Sequence, residues 1–159
     1  MAASLQLGDW CLAAGFVRNL IWDKLHDKQT NTSLNDIDLI YFNVGETDES
    51  QDLSHEAQLK QLSDLPWSVK NQARMHLRNG DPAYTSCSDA MSYWVELETA
   101  VGVTLTETGE VKIVAPFGLA ANFHRTITLN PKRPKPQAFS ERVSSKGWCE
   151  LWPQLKTVS

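Results

Sequence analysis

Two aspartates, Asp36 and Asp38, stand at the start of an apolar segment that ends at Phe42. The apolar run predicts a buried strand over 36–42. Because alternate side chains of a strand share a face, both carboxylates are expected to project together from the start of this strand. Like charges this close repel, and a bound divalent cation is the usual reason for such a pair. The pattern therefore predicts a site for Mg²⁺ (or Mn²⁺) that also takes phosphate oxygens, and favours metal-assisted phosphoryl transfer as a hypothesis.

A second phosphate-binding signal precedes the aspartates, in the segment Ala14-Gly15-Phe16-Val17-Arg18. Val17, Ile21 and Leu25 recur at four-residue spacing, which predicts a helix over 14–26. A glycine at its start allows the close approach of a phosphate, and the helix N-terminus offers free N–H donors. Arg18, one turn into the helix, is a candidate for a charge-assisted contact to the same phosphates. A salt bridge on the helix face is the alternative role for Arg18.

Length, composition and cysteine spacing indicate the class of protein. The chain has 159 residues, with 42% hydrophobic and 21% charged residues, values typical of one globular domain with a hydrophobic core. No apolar run is long enough to cross a membrane, and the N-terminus lacks the pattern of a signal peptide. The three cysteines, Cys11, Cys87 and Cys149, have no zinc spacing and are expected to be reduced thiols. We therefore expect a cytoplasmic protein with no membrane partner.

Charge is unevenly distributed along the chain, whose net charge is −4. Acidic residues dominate residues 46–64, and basic residues dominate residues 131–156. The basic tail either meets an anion such as RNA or a nucleotide, or forms a solvated surface. The overall acidity argues against a dedicated nucleic-acid binder.

Periodicity and turn signals predict the remaining elements. Asn71 is notable among them, because it would place an amide on the apolar face of a strand, where it needs hydrogen-bond partners or a role in a site. The predicted elements are a helix from Ser54 to before Pro66, a strand over 67–77, a helix from Ser86 that Gly102 ends, a hairpin of 103–105 and 111–115, a short helix near 119–125, and a helix over 138–152 after a Pro-rich connector that begins at 131.

The order of these motifs resembles the polymerase-β-type nucleotidyltransferase superfamily, in which a glycine turn opens a helix and an Asp-x-Asp strand follows. The helix is most similar to that of CCA-adding tRNA nucleotidyltransferases, whose pattern Gly-Gly-x-Val-Arg-Asp is matched at Gly15, Val17 and Arg18. Over its whole length, the chain resembles a bacterial nucleotidyltransferase-like family. The stretches that carry this likeness are 15–19, 34–42, 67–76, 79–82 and 115–118.

The resemblance implies an α+β fold of the polymerase-β-like kind, a small mixed sheet flanked by helices, in a single nucleotidyltransferase-like domain over 1–159. It implies Asp36 and Asp38 as catalytic metal ligands, an NTP substrate, and transfer of a nucleoside monophosphate to a hydroxyl. It also implies nucleotide contacts by Ala14, Gly15, Arg18 and, in the place of a third carboxylate, Asn71. Three positions depart from the pattern: Ala14 replaces its first glycine, Asn19 replaces an aspartate, and residues 66–80 contain no acidic residue.

Two other functions stay open on the sequence. A non-catalytic nucleotide-binding or regulatory module on the same fold would lack the third carboxylate. An antitoxin-like interaction module would use the acidic 46–64 segment to bind a partner protein. The acceptor of the transferred group, whether a small molecule, RNA or protein, is not encoded in any motif of the sequence.

Overall fold

The fold is built on a five-stranded mixed sheet. A computed structural model describes residues 1–159. The strands β1 (Asp9–Ala13), β2 (Ile37–Phe42), β3 (Trp67–Asn71), β4 (Gly102–Leu105) and β5 (Val111–Val114) lie in the order β3-β2-β1-β4-β5. Only β2 and β3 are parallel; the other neighbours are antiparallel. A small parallel pair, β6 (Thr126–Thr128) and β7 (Lys156–Val158), lies outside this sheet.

Six helices flank the strands: α1 (Gly15–Leu25), α2 (Ser50–Leu62), α3 (Gln72–Asn79), α4 (Cys87–Met91), α5 (Pro136–Lys146) and α6 (Trp148–Leu151). None of them has the length and hydropathy required to span a lipid bilayer. Short 3-10 turns cover Ala2–Leu5 and Ala120–Phe123, the second in place of the helix predicted near 119–125.

The alternation of β2 sorts the two faces of the sheet. Ile37, Leu39 and Tyr41 point into a core shared with Leu59 of α2. Asp38 and Ile40 point to the opposite face, where Ile40 packs with Cys11, Ala13, Cys87, Met91 and Ala100. A third core joins α1 to the chain's C-terminal part through Trp22, Trp148 and Trp152. The aspartate face is therefore enclosed by α1, α4 and the last helices.

The predicted helix over 14–26, the strand over 36–42 and the hairpin around Gly109 are confirmed. Strand β1 was missed, although it is the central strand of the sheet. Gly102, predicted to end a helix, instead begins β4. A Cβ at Gly102 would lie 2.8 Å from the Cys11 Sγ, so only glycine fits this approach of β4 to β1.

Strand β3 is shorter than predicted. The expected strand over 67–77 ends at Asn71, because the Asn71 Oδ1 accepts a hydrogen bond from the Ala73 N–H at 3.0 Å and caps helix α3. Helix α3 ends at Asn79, followed by Gly80 in the left-handed conformation. Helix α2 begins at Ser50 rather than Ser54, after the Asp48 carboxylate accepts the Ser50 N–H at 2.6 Å.

The predicted start of a helix at Ser86 is confirmed, since the Ser86 Oγ accepts the Asp89 N–H at 3.0 Å and caps α4. The helix it starts ends at Met91, not near Gly102. The segment 92–101 instead bonds to residues 128–130: the Asn130 Nδ2 donates to the carbonyl oxygens of Ser92 and Trp94, both at 2.8 Å. The predicted helix over 138–152 is two helices, α5 and α6, which meet at Gly147 with φ of 61°.

Candidate active site

The paired aspartates lie at the start of β2, on the face away from the α2 core. Asp36 is exposed and precedes the strand, whereas Asp38 is half-buried and lies opposite Ala13 of β1 and Ser68 of β3. Burial, with a smaller contribution from Asp36, raises the pKa of Asp38 to about 6. Two cations, Arg18 and Lys146, oppose this rise in the Asp38 pKa. The carboxylate pair is therefore electrostatically unfavourable without a cation.

Helix α1 begins beside Asp38 with an unusual backbone. Ala14 has φ of 54° and ψ of −120°, a conformation that glycine adopts far more readily than alanine. Its N–H donates to the Val101 carbonyl oxygen at 2.8 Å, which fixes the chain just before the helix. No side chain caps the N-terminus of α1, so its first N–H groups and its positive dipole end remain available to an anion.

Arg18 is buried, and its guanidinium contacts two tryptophan rings and two polar side chains. Its guanidinium carbon lies 4.9 Å from the centroid of the Trp22 ring and 4.7 Å from that of Trp148. Its Nη1 donates to the Thr99 Oγ1 at 2.9 Å, and its Nε and Nη2 donate to the Asn19 Oδ1 at 3.2 and 2.9 Å. Burial lowers the pKa of Arg18 to about 10, which leaves the side chain charged at neutral pH.

No carboxylate pairs with Arg18, so the salt-bridge role considered for it is not found. Asn19 takes the place of the aspartate in the Gly-Gly-x-Val-Arg-Asp pattern, and it orients the guanidinium without neutralising its charge. The terminal Nη2 of Arg18 lies 3.4 Å from where a Cβ of Gly15 would be, directly over the start of α1. Arg18 and the helix N-terminus therefore present positive charge at the same place.

These groups line one cavity of about 290 Å³, here called the first cavity. It brings together five of the six residues proposed from the sequence: Ala14, Gly15, Arg18, Asp36 and Asp38. The loop between α1 and β2 closes another side of the cavity through Thr32–Asn35. The cavity thus combines a helix N-terminus, a buried arginine and two carboxylates.

Asn71 does not belong to this cavity. It is fully buried, and its Nδ2 donates to the carbonyl oxygens of Asn43 and Glu46 at 2.8 and 3.2 Å. Its Oδ1 accepts the N–H groups of Asn43 and Ala73 at 3.1 and 3.0 Å. The side chain is used in holding the 43–46 loop and in starting α3, which is the polar-network role considered for it from the sequence.

Two basic residues of α5 enter the first cavity and were not assigned to a site from the sequence. Arg142 and Lys146 are four residues apart and share a helix face. Arg142 Nε and Nη2 lie 2.6 and 3.2 Å from the oxygens of the buried Glu96, whereas Lys146 has no ion pair. The basic 131–156 segment therefore does reach the aspartates. The sequence signals for these two residues were the basic character of 131–156 and their four-residue spacing.

The donor set fits a hard divalent cation. Carboxylate oxygens are ligands that Mg²⁺ accepts in small number, with phosphate oxygens and water completing its shell. No group of three or more His, Cys, Asp or Glu side chains is arranged to hold a metal ion. A metal at this site would therefore be held by Asp36 and Asp38 together with phosphate oxygens and water.

Solved structures of other proteins share this fold. A solved structure described as a CCA-adding enzyme head domain superposes with a TM-score of 0.84 at 33% identity, covering 98% of this chain and 84% of that one. Two tRNA-processing enzyme structures, at 14% and 13% identity, share the fold with TM-scores of 0.58 and 0.59; they match 99% of this chain but only 42% and 43% of their own. No curated protein matches significantly.

A family model described as Nucleotidyltransferase matches residues 1–157. The chain belongs to this nucleotidyltransferase family.

Proposed function

We propose that the protein transfers a nucleoside monophosphate from an NTP to an acceptor hydroxyl, with Mg²⁺ or Mn²⁺ held by Asp36 and Asp38. One observation carries this proposal: a charged Arg18 lies over the open N-terminus of α1 in the same cavity as the two carboxylates. The likeness to a CCA-adding enzyme head domain supports the same reaction class.

The residues of the chain divide the work in this proposal. Gly15 and the first N–H groups of α1 bind phosphate oxygens, and Arg18 adds a charge-assisted contact that is oriented before the substrate arrives. Lys146, free of any ion pair, faces the same cavity and neutralises further negative charge on the triphosphate. When bound, the metal supplies electrostatic stabilisation of the attacking and leaving oxygens. Asp36 and Asp38 fix where that charge is placed.

The test is an NMR titration with ATP, CTP, GTP and UTP, each with and without Mg²⁺, followed by an assay for pyrophosphate release in the presence of candidate acceptors. We expect metal-dependent shifts centred on Gly15–Asn19 and Asp36–Asp38. The double variant Asp36→Asn/Asp38→Asn should lose the metal dependence. Asp64→Asn is the matched control, because Asp64 is exposed and forms no ion pair. Metal-dependent binding that survives in the double variant would contradict the assignment.

The alternative is a module that binds a nucleotide without transferring any part of it. The absence of a third carboxylate on β3 favours this alternative. On β3, the residue in register with Asp38 is Ser68, and the next on that face is Lys70, so this strand supplies no carboxylate. Lys70 instead lies 3.0 Å from Glu49. This alternative predicts the same NTP shifts with no pyrophosphate released for any acceptor. Pyrophosphate that is lost in the double variant would exclude it.

A further inference from the structure

Asp38 lies between two cavities, and the proposed function occupies only the first. The other, here called the second cavity, has a volume of about 340 Å³ and shares Ala14, Asp38, Thr99 and Arg142 with the first. Its remaining wall comes from β2, β3, α3, residues 93–96 and Lys135. Both cavities therefore open onto the same carboxylate.

The order of residues along β2 sets the two cavities on opposite sides of Asp38. Asp36, Asp38 and Ile40 share one face of the strand. Asp36 lines only the first cavity, Ile40 only the second, and Asp38 both. In phosphoryl transfer the attacking and leaving oxygens are roughly in line through phosphorus. With the triphosphate at the N-terminus of α1, an acceptor hydroxyl would approach from the second cavity.

The second cavity is lined by four basic side chains: Lys70, Arg78, Lys135 and Arg142. Arg142 is neutralised by Glu96. Lys70 forms an ion pair with Glu49, but this pair is exposed and contributes little free energy. Lys135 lies 3.6 Å from Asp81, but Asp81 also binds Arg133 at 2.8 Å, so one carboxylate serves two cations. Arg78, on the last turn of α3, has no ion pair. An excess of positive charge therefore faces this cavity.

We propose that the second cavity binds the acceptor, and that the acceptor is a small molecule carrying a phosphate group, which Arg78 and Lys135 bind while its hydroxyl reaches Asp38. This inference rests on the proposed function. In the transfer, the acceptor oxygen forms a bond to the α-phosphorus, the bond from that phosphorus to the bridging oxygen of the β-phosphate breaks, and pyrophosphate leaves. The hydroxyl proton passes to solvent.

Charge and size favour a small acceptor over a polynucleotide. The loop before α2 carries Glu46, Asp48 and Glu49, and the contact of Glu49 with Lys70 puts that acidic loop at the edge of the second cavity. A polyanion extending past this edge would be repelled, whereas a single phosphate inside the cavity would not. The volume is also at the small end of the range, about 300–1,000 Å³, of ligand sites.

The test compares ribose 5-phosphate and inorganic phosphate with ribose, by NMR titration of the full chain in the presence of Mg²⁺ and a non-hydrolysable ATP analogue. We expect the two phosphates, but not ribose, to shift amides of Met75, Arg78 and Val95. Arg78→Gln should lower the affinity for ribose 5-phosphate about tenfold, as expected for the loss of roughly one charge-assisted contact. Lys112→Gln is the control, because Lys112 is an exposed cation on β5 that lines neither cavity.

Four results would overturn the inference. The first is equal amide shifts with ribose and ribose 5-phosphate, and the second is an equal loss of ribose 5-phosphate affinity in Arg78→Gln and Lys112→Gln. The third is no response of these amides to either phosphate. The fourth is amide shifts with an RNA oligonucleotide where the small phosphates give none. The nucleotide analogue separates this failure from that of the proposed function. If it still shifts Gly15–Asn19, only the acceptor inference is wrong; if it does not, the nucleotide site is wrong, and with it the acceptor inference.

Discussion

At the residue scale, Ala14 holds a backbone conformation that costs an alanine about 1–3 kcal/mol. The contact of its N–H with Val101 and the packing of α1 against the third core impose this conformation. The resembling motif has glycine at this position, so the strain is a property of this chain's own residue. A strained junction that lines both cavities fixes the start of α1 relative to Asp38.

We therefore expect Ala14→Gly to raise the free energy of unfolding by about 1 kcal/mol, since the relief of strain exceeds the added entropy of a glycine in the unfolded chain. Urea unfolding followed by tryptophan fluorescence measures this. Ala13→Gly, one residue earlier in β1, is the control and should lower stability, because it empties a buried strand position. A decrease of similar size in both variants would mean that Ala14 is not strained.

Asp38 is the second residue whose role in the site costs stability. Its pKa is raised from 3.8 to about 6, so the folded state binds its proton more tightly than the unfolded state does. The ionised form is consequently destabilising, fully above about pH 6 and not at all below about pH 4. We expect Asp38→Asn, in EDTA, to raise the free energy of unfolding by about 1–2 kcal/mol at pH 7.

The pH dependence supplies the check on Asp38→Asn. Its gain in stability over the wild type should disappear as the pH falls from 6 to 4, where the wild-type carboxyl is protonated in both states. Asp64→Asn should show no such dependence. A gain that persists at low pH would assign the effect to packing rather than to charge.

At the element scale, the junction of β3 and α3 depends on one buried amide. Asn71 satisfies two carbonyl oxygens and two N–H groups, which belong to the 43–46 loop and to the first turn of α3. We expect Asn71→Ala to lower the free energy of unfolding by about 2–4 kcal/mol, because four backbone groups lose the side chain that bonds them and a buried position is left partly empty. The NTP affinity of the folded variant should be unchanged.

Chemical denaturation and the NTP titration together measure this prediction. Asn31→Ala is the control, because Asn31 is exposed in the loop before β2. A stable Asn71→Ala variant with weakened NTP binding would mean that Asn71 contributes to the nucleotide site.

The elements that the sequence predicted well have signals in their own residues. The four-residue spacing of α1, the apolar run of β2 and the Gly109 turn each determine a local structure. Strand β1 was missed because its five residues, Asp9–Ala13, give no clear alternation. Three of them, Trp10, Cys11 and Ala13, are buried in the cores on the two faces of the sheet. Helix α3 was missed because polar and apolar residues alternate through 67–76, a period that predicts a strand.

At the scale of the whole molecule, the site depends on residues that are remote in sequence. Thr99 accepts a hydrogen bond from Arg18, and the charges of Glu96 and Arg142 both influence the Arg18 pKa, yet no motif in the sequence predicts that these residues meet. The connector over 131–135 leads into α5, which lines the cavity and ends at the break at Gly147. The carboxylates and the start of α1 were therefore predictable, whereas the cations from α5 required the tertiary structure.

Asp81 joins two distant parts of this arrangement. Its buried carboxylate binds Arg133 and Lys135, which lie in the connector before α5, and accepts a hydrogen bond from Tyr84. Despite its burial, these hydrogen bonds and charges keep the pKa of Asp81 below its ordinary value. The carboxylate therefore stabilises the fold above about pH 4, and this stabilisation is lost as the pH falls through its lowered pKa.

We expect Asp81→Asn to lower the free energy of unfolding by about 2–3 kcal/mol at pH 7, less than for a fully buried pair because Arg133 is partly exposed. The difference from the wild type should narrow as the pH falls below about 4. Denaturation curves across this pH range measure it, with Asp64→Asn as the control. A difference that is constant with pH would mean that the ion pairs do not contribute.

The three thiols of the chain differ sharply in their surroundings. Cys11 and Cys87 are buried, and burial raises the pKa of both thiols, that of Cys11 to about 12, so neither forms a reactive thiolate at neutral pH. Cys149 is exposed on α6, next to Trp148, which lines the first cavity. The unmodified protein thus carries a single alkylation point beside its candidate active site. A fluorophore or spin label attached there would follow nucleotide binding without any engineered cysteine.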